Sequence, residues 1–260
     1  MLKETTWSPW HGCHKISPGC QNCFVYLLDK RYGRDSSTVV KSKGGFDLPI
    51  RKDKKGNYKC PSGSNFKTCF TSDFFIEEAD EWREEAWKII KERSDCDFII
   101  ATKRIERVKE HLPADWGDGY DNVTISVDAE TQERADYRMP LFREIPIKHR
   151  YIFVSPILEY VDLSAYLKDD KIEKVCVGGE SYSGARICDF KWVEQIFIDA
   201  KRNNKPFMFH QTGSKFIKDG KLYNVRFGVQ YSQAELAEKY LYDKYKDITP
   251  DKLIDIIPKK

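Results

Sequence analysis

Near the start of the chain, Trp7-Ser8-Pro9-Trp10-His11-Gly12-Cys13-His14-Lys15-Ile16-Ser17-Pro18-Gly19-Cys20-Gln21-Asn22-Cys23-Phe24 brings three cysteines close together. The spacing is Cys13-x6-Cys20-x2-Cys23, in a stretch whose glycines and prolines let the backbone curl around a metal centre. Three chemistries fit. A structural zinc needs four closed ligands, so His11, His14 or Cys60 would complete the set. A redox dithiol uses only Cys20 and Cys23 and leaves Cys13 without a role. A [4Fe–4S] cluster takes Cys13, Cys20 and Cys23 and leaves one iron open to a substrate or cofactor. Three closely spaced cysteines, rather than four, favour that last arrangement.

The elements that must position this loop belong to a globular chain. Its 260 residues permit one large domain or two small ones. With 40% hydrophobic and 33% charged residues and a mean hydropathy of -0.62, the composition excludes a disordered chain, and no apolar run is long enough to span a membrane. The opening Met1-Leu2-Lys3-Glu4-Thr5-Thr6-Trp7 lacks the apolar stretch of a signal peptide, so a reducing, cytoplasmic location is expected. There the eight cysteines need an explanation other than disulfides. Cys60, Cys69, Cys96, Cys176 and Cys188 are scattered and read as core or incidental thiols, with Cys69 and Cys176 inside apolar strand runs. The net charge of +3 is the difference between 44 basic and 41 acidic residues and does not announce a nucleic-acid partner.

Apolar, β-rich runs recur with helical patterns between them, as βα units around a parallel sheet require. The expected strands are 4–7, 68–71, 97–101, 122–127, 150–154, 174–177 and 206–209. Ala79, Trp82, Ala86, Ile89 and Ile90 recur at helical spacing, as do Phe190, Val193, Ile196, Phe197 and Ala200. Ser232-Gln233-Ala234-Glu235 has the pattern of a capping box at a helix start. The fold class expected is α/β, a partial TIM-like (β/α) barrel of six to seven parallel strands, with a doubly wound sheet as the competing architecture. Residues 1–228 would form the barrel and 229–260 a C-terminal helical extension. Within the barrel, 41–67 holds eight basic and two acidic residues without a regular period. It reads as an inserted loop or lid whose charge suits phosphate-bearing substrates.

Either architecture places function at the C-terminal ends of the strands, where this chain is polar. Thr71-Ser72-Asp73, Thr102-Lys103-Arg104, Ser126-Val127-Asp128-Ala129-Glu130, Gly178-Gly179-Glu180-Ser181 and His210-Gln211 follow or end successive apolar runs.

These residues carry a resemblance. The opening is similar to that of a phage- and bacteria-associated family of uncharacterised proteins that begin W-x-P-W-x-G-C-x6-C-x2-C. Thr102-Lys103-Arg104, His111 to Gly117, Gly178 to Ser181 with Gly184-Ala185-Arg186, and Phe207 to Gln211 are similar to that family's later motifs. The family in turn resembles the radical S-adenosylmethionine (SAM) superfamily. The usual superfamily loop is C-x3-C-x2-C with an aromatic before the last cysteine, whereas here the first gap is longer, Asn22 precedes Cys23 and Phe24 follows it.

The resemblance implies a radical SAM-type enzyme in which Cys13, Cys20 and Cys23 hold a [4Fe–4S] cluster and SAM is cleaved to a 5′-deoxyadenosyl radical. It also implies a one-electron donor such as flavodoxin or ferredoxin. Phe24 or Tyr26 would pack against adenine. Gly178-Gly179-Glu180 comes too late to serve as the Gly-Gly-Glu element of the superfamily, so Ser72 and Asp73 take that place. Lys103 and Arg104 suit a carboxylate or phosphate, and Ser126, Asp128 and Glu130 suit ribose hydroxyls or the methionine moiety, with an N-cap near Thr131 as the other role for these three. Glu180, Arg186, His210 and Gln211 are the catalytic candidates on the substrate side. The substrate is unidentified: a small molecule, a nucleotide or nucleic acid. The alternative is a non-catalytic, zinc-stabilised nucleic-acid-binding module. No membrane partner is expected.

Overall fold

In the structure, a computed structural model that describes residues 4–249, the β-branched and aromatic runs form strands and the 3.6-period segments form helices. In chain order the elements are β1 (Glu4–Trp7), β2 (Trp10–His11), α1 (Phe24–Arg31), β3 (Val40–Lys41), β4 (Asn65–Thr68), α2 (Asp80–Glu92), β5 (Asp97–Thr102) and α3 (Ile105–Val108). There follow β6 (Val123–Asp128), α4 (Gln132–Glu144), β7 (His149–Val154), β8 (Ile172–Gly178), β9 (Ile187–Asp189), α5 (Phe190–Arg202), β10 (Phe207–Gln211), β11 (Lys215–Lys218), β12 (Lys221–Asn224) and α6 (Gln230–Lys244).

The main sheet is parallel and seven-stranded, in the order β1-β4-β5-β6-β7-β8-β10. Each strand lies beside the next sheet strand in the chain, with no reversal of direction across the sheet. A doubly wound fold requires such a reversal, whereas a (β/α) barrel winds one way, so the fold is the partial TIM-like barrel type. β12-β11-β9 form a small separate sheet, and β2 pairs with β3.

The chain divides into two compact units: Met1–Ile16, Val25–Val127 and Pro140–Arg150, and Ser17–Phe24, Asp128–Met139 and Tyr151–Lys260. In the first, Trp7, Phe66 and Phe98 are fully buried and pack together, Phe66 stacking on Phe98 at 4.9 Å between ring centroids. In the second, Phe197 of α5 meets the edges of Phe207 and Tyr242. Ala234, Ala237 and Leu241 are the buried stripe of α6.

Four local expectations are corrected. The strand expected at 68–71 is β4, and Cys69 lies beyond it in a turn with a φ of 59°. Asn65 and Lys67 alternate with buried Phe66 and Thr68, a half-buried strand signal weaker than the continuous apolar run beside it. For the same reason the 41–67 loop gives up its end to β4, and it also holds Lys41 of β3 and a 3-10 turn at Leu48–Ile50. On α2, Trp82 is only half-buried and the buried positions include Arg83 and Trp87. Arg83 is tolerated inside because it donates to the carbonyls of Phe74 and Ile76 and pairs with Asp80. Finally, α6 begins at Gln230, so Ser232 lies within its first turn and donates to the Val229 carbonyl at 3.1 Å instead of capping. Residues 250–260 of the expected extension lie outside the described residues. No helix among the described residues is long and apolar enough to cross a membrane.

Asp199 on α5 is fully buried, accepts from the Tyr160 hydroxyl at 3.0 Å and lies 3.5 Å from Arg202. Burial pushes its carboxyl up to about 6 against the opposing pull of Tyr160 and Arg202. Because the folded value exceeds the unfolded one, the folded state binds more protons between about pH 4 and pH 6, and stability falls as pH rises through that window. Asp199→Asn keeps an acceptor for Tyr160 without the buried charge. The variant should therefore be more stable than the parent at pH 7 by roughly 2–3 kcal/mol and equal to it near pH 4, as read by urea denaturation across that range. A variant less stable at pH 7 would contradict this.

Candidate functional site

The cysteine loop is built in two parts, Cys13 in the first unit and Cys20 with Cys23 in the second. None of the eight cysteines is in a disulfide; Cys13, Cys20 and Cys23 are half-buried. Among the described residues, no group of three or more His, Cys, Asp or Glu is placed to hold a single metal ion.

In the first unit the backbone around Cys13 is pinned from several sides. Trp10 is fully buried and its indole N–H donates to the Asp73 carbonyl at 3.0 Å. Gly12 donates to Thr71 O and Cys13 donates to Ser36 O, at 3.1 and 2.8 Å. The Ser72 hydroxyl closes on Gly12 O and the Tyr26 hydroxyl on Cys13 O. Gly12 has a φ of 96°, and a Cβ there would stand 2.3 Å from the Thr38 carbonyl oxygen, so only glycine fits.

Arg104 reaches the thiol itself. Its Nη1 lies 3.6 Å from Cys13 Sγ and its Nη2 donates to His14 O at 3.3 Å. Buried to 3% exposure, it is held 3.4 Å from both Asp73 and Glu77. Burial works to lower its basicity, but the Asp73 charge, then Cys13 and Glu77, raise it on balance. Asp73 also accepts from the Phe75 amide at 3.0 Å, the Thr102 hydroxyl at 2.8 Å and the Lys103 amide at 3.0 Å. Lys103 thus meets Asp73 through its backbone. His11 Nε2 is 2.7 Å from Asp29, which also takes the Ser36 hydroxyl at 2.5 Å, and His14 pairs with Glu78.

In the second unit a 3-10 turn, Pro18–Cys20, carries Cys20, and Ser17 Oγ lies 3.5 Å from its sulfur. Fully buried Glu130 holds this turn: it accepts from the Ser17 hydroxyl and from the Gly19 amide at 3.3 Å, and it pairs with Arg138 of α4 at 2.7 Å. Arg138 also donates to Asp128 O at 2.8 Å. Asn22, just before Cys23, donates to Glu180 at 3.1 Å and Gly184 O at 3.0 Å. Arg186 donates to Glu180 from its amide and its guanidinium, and reaches Pro18 O at 2.9 Å. Burial works to raise the Glu180 carboxyl, yet Arg186 and Asn22 hold it below the usual range.

The remaining candidates separate. Phe24 is 37% exposed at the start of α1. Ser126 is fully buried, its hydroxyl 3.4 Å from Ile100 O. His210 Nε2 lies 3.0 Å from Ser155 Oγ. Gln211 donates to Gly179 O at 2.6 Å and Ser181 Oγ at 3.2 Å. Gly178 and Gly179 are explained by closeness: a Cβ would stand 2.1 Å from the His210 ring and 2.3 Å from Thr212 O, respectively. Ser17, Asn22 and Arg138 were not singled out in the sequence. Arg138 and Glu130 pair across a loop and a helix start, a spacing that no periodicity marks.

The fold and these strand ends define an α/β protein of the (β/α)-barrel type with a thiol-rich loop after its first strand. The chain belongs to the family described as protein of unknown function (DUF5131), whose model matches residues 2–247. Neither a curated protein nor a solved structure matches it.

Breaking the buried Glu130–Arg138 pair from one side leaves an uncompensated charge. Arg138→Met should cost about 3–5 kcal/mol in urea denaturation, while adding Glu130→Gln to it should recover much of that loss. Additive losses would mean the pair is not coupled.

Proposed function

We propose that this chain is a radical SAM-type enzyme whose [4Fe–4S] cluster is held by Cys13, Cys20 and Cys23. The observation that carries the reading is the three-cysteine loop, whose thiols are half-buried and in no disulfide. The donor set fits. Three thiolates are what a [4Fe–4S] cluster with one open iron would take, whereas a structural zinc would need a fourth ligand. When bound, such a cluster supplies the electron that cleaves the SAM sulfonium to a 5′-deoxyadenosyl radical, which takes hydrogen from a substrate.

The chain's own residues have separable tasks. Arg104 supplies positive charge beside Cys13 and favours the thiolate needed for ligation. Asp73 is occupied in holding Arg104 and the Lys103 amide, so we assign it to orienting that arginine instead of binding the SAM ammonium. Glu130 with Arg138, and Arg186, hold the turn that carries Cys20, and Glu180 holds Asn22 beside Cys23. His210, Gln211 and Lys103, at strand ends, are our candidates toward the substrate and SAM, and a flavodoxin- or ferredoxin-type donor would deliver the electron.

Anaerobically purified or reconstituted protein should contain iron and sulfide, absorb brown, and form 5′-deoxyadenosine from SAM under reductant. Alanine at Cys13, Cys20 or Cys23 should each abolish the absorption, while Cys60→Ala should retain it. Stoichiometric zinc without iron or sulfide would establish the zinc-stabilised module instead, and reconstituted protein that takes up neither cluster nor SAM would sink the enzyme reading.

A further inference from the structure

Leu222, Tyr223, Phe227 and Tyr231 are each more than 40% exposed, close together in the chain around β12 and the start of α6. Phe227 is 60% exposed even though it stacks on Tyr182, with ring centroids 4.9 Å apart and planes 22° from parallel. Tyr182 presents its ring from a φ of 74°, a conformation that bulky residues seldom hold without a reason. Buried Gln230 fixes the loops that carry the two rings: its amide accepts from Ser181 Oγ at 2.7 Å and donates to Ser214 Oγ at 3.0 Å and Val225 O at 3.1 Å.

The same segment is basic. Residues 214–226 hold Lys215, Lys218, Lys221 and Arg226 against a single acid, Asp219. Lys221 Nζ lies 5.2 Å from the Tyr223 ring centroid. An apolar protein partner would be matched by an uncharged surround. Exposed aromatic rings set among cations instead match a polymer of flat bases and phosphates: bases stack on rings, and phosphates pair with lysine and arginine.

The geometry points to a docking platform for single-stranded nucleic acid, with Tyr182 and Phe227 stacking a base and Lys215, Lys221 and Arg226 meeting phosphates. The platform begins at Tyr182, two residues after Glu180 in the loop that follows β8, the side to which the catalytic candidates belong. If the enzyme reading holds, on which this clause alone rests, the substrate is a nucleotide within a single strand.

Fluorescence anisotropy of the full chain, without cluster loading, tests the platform with labelled oligothymidine DNA and oligouridine RNA across a salt series. Binding to either polymer supports it, and the tighter one identifies the sugar. Phe227→Ala should weaken binding about tenfold and Phe227→Trp restore it. Lys221→Gln should make the log–log salt slope shallower by roughly 0.7. Tyr32→Ala, at another exposed ring, should change nothing. No binding at low salt, or full binding by Phe227→Ala, overturns the platform. So does a chain dimer that Phe227→Ala dissociates and that binds no oligonucleotide, which would make this face a self-interface. SAM cleavage measured without oligonucleotide keeps the two readings apart: binding without cluster or cleavage removes only the enzyme, and cleavage without binding removes only the platform.

Discussion

A guanidinium taken out of water must have its charge and its donors answered, and much of this structure is organised around meeting that demand. Arg83, Arg93, Arg104, Arg138 and Arg150 are all buried to 3% exposure or less. Each meets backbone carbonyls or carboxylates, many of them in loops. Arg83 gathers the turn at Phe74 and Ile76. Arg93 gathers Pro49 and Cys60 of the basic insert, and Arg150 the carbonyls of Ile145 and Ile147. A fork with five donors can tie several loop segments at once, which apolar contact does less directionally.

Two of these arginines meet the cysteine loop. Arg104 touches Cys13 and is held by Asp73, while Arg138 neutralises Glu130, which holds the turn before Cys20. The carboxylates that the strand-end pattern offers to a cofactor are thus largely engaged in building the loop. Glu180 follows the same logic, tied to Arg186 and Asn22. Within each unit, buried charge ties the cysteine-bearing backbone to the strand ends.

The basic insert tells the opposite story about charge. Lys41 pairs with Glu85, Arg51 with Asp47 and Lys67 with Glu4, so part of its positive charge is neutralised at home. Composition marks a segment as basic, but partners brought from elsewhere in the chain decide how much of that charge faces a ligand.

The cysteine spacing, the parallel-sheet class and the apolar stripe of α5 were legible in the sequence because they rest on local order. Residue type, a period of 2 or 3.6, and near neighbours suffice for them. β4 was misplaced by a few residues because its alternation is short and lies beside the stronger apolar run that includes Cys69. The capping role of Ser232 failed because α6 starts earlier, where Gln230 serves the loops. The identity of the residues around the thiols was decided only by tertiary structure. Arg104 reaches Cys13 across 91 residues and Glu130 reaches Gly19 across 111, and contacts so distant follow from the strand order that brings strand ends together, not from any spacing readable along the chain.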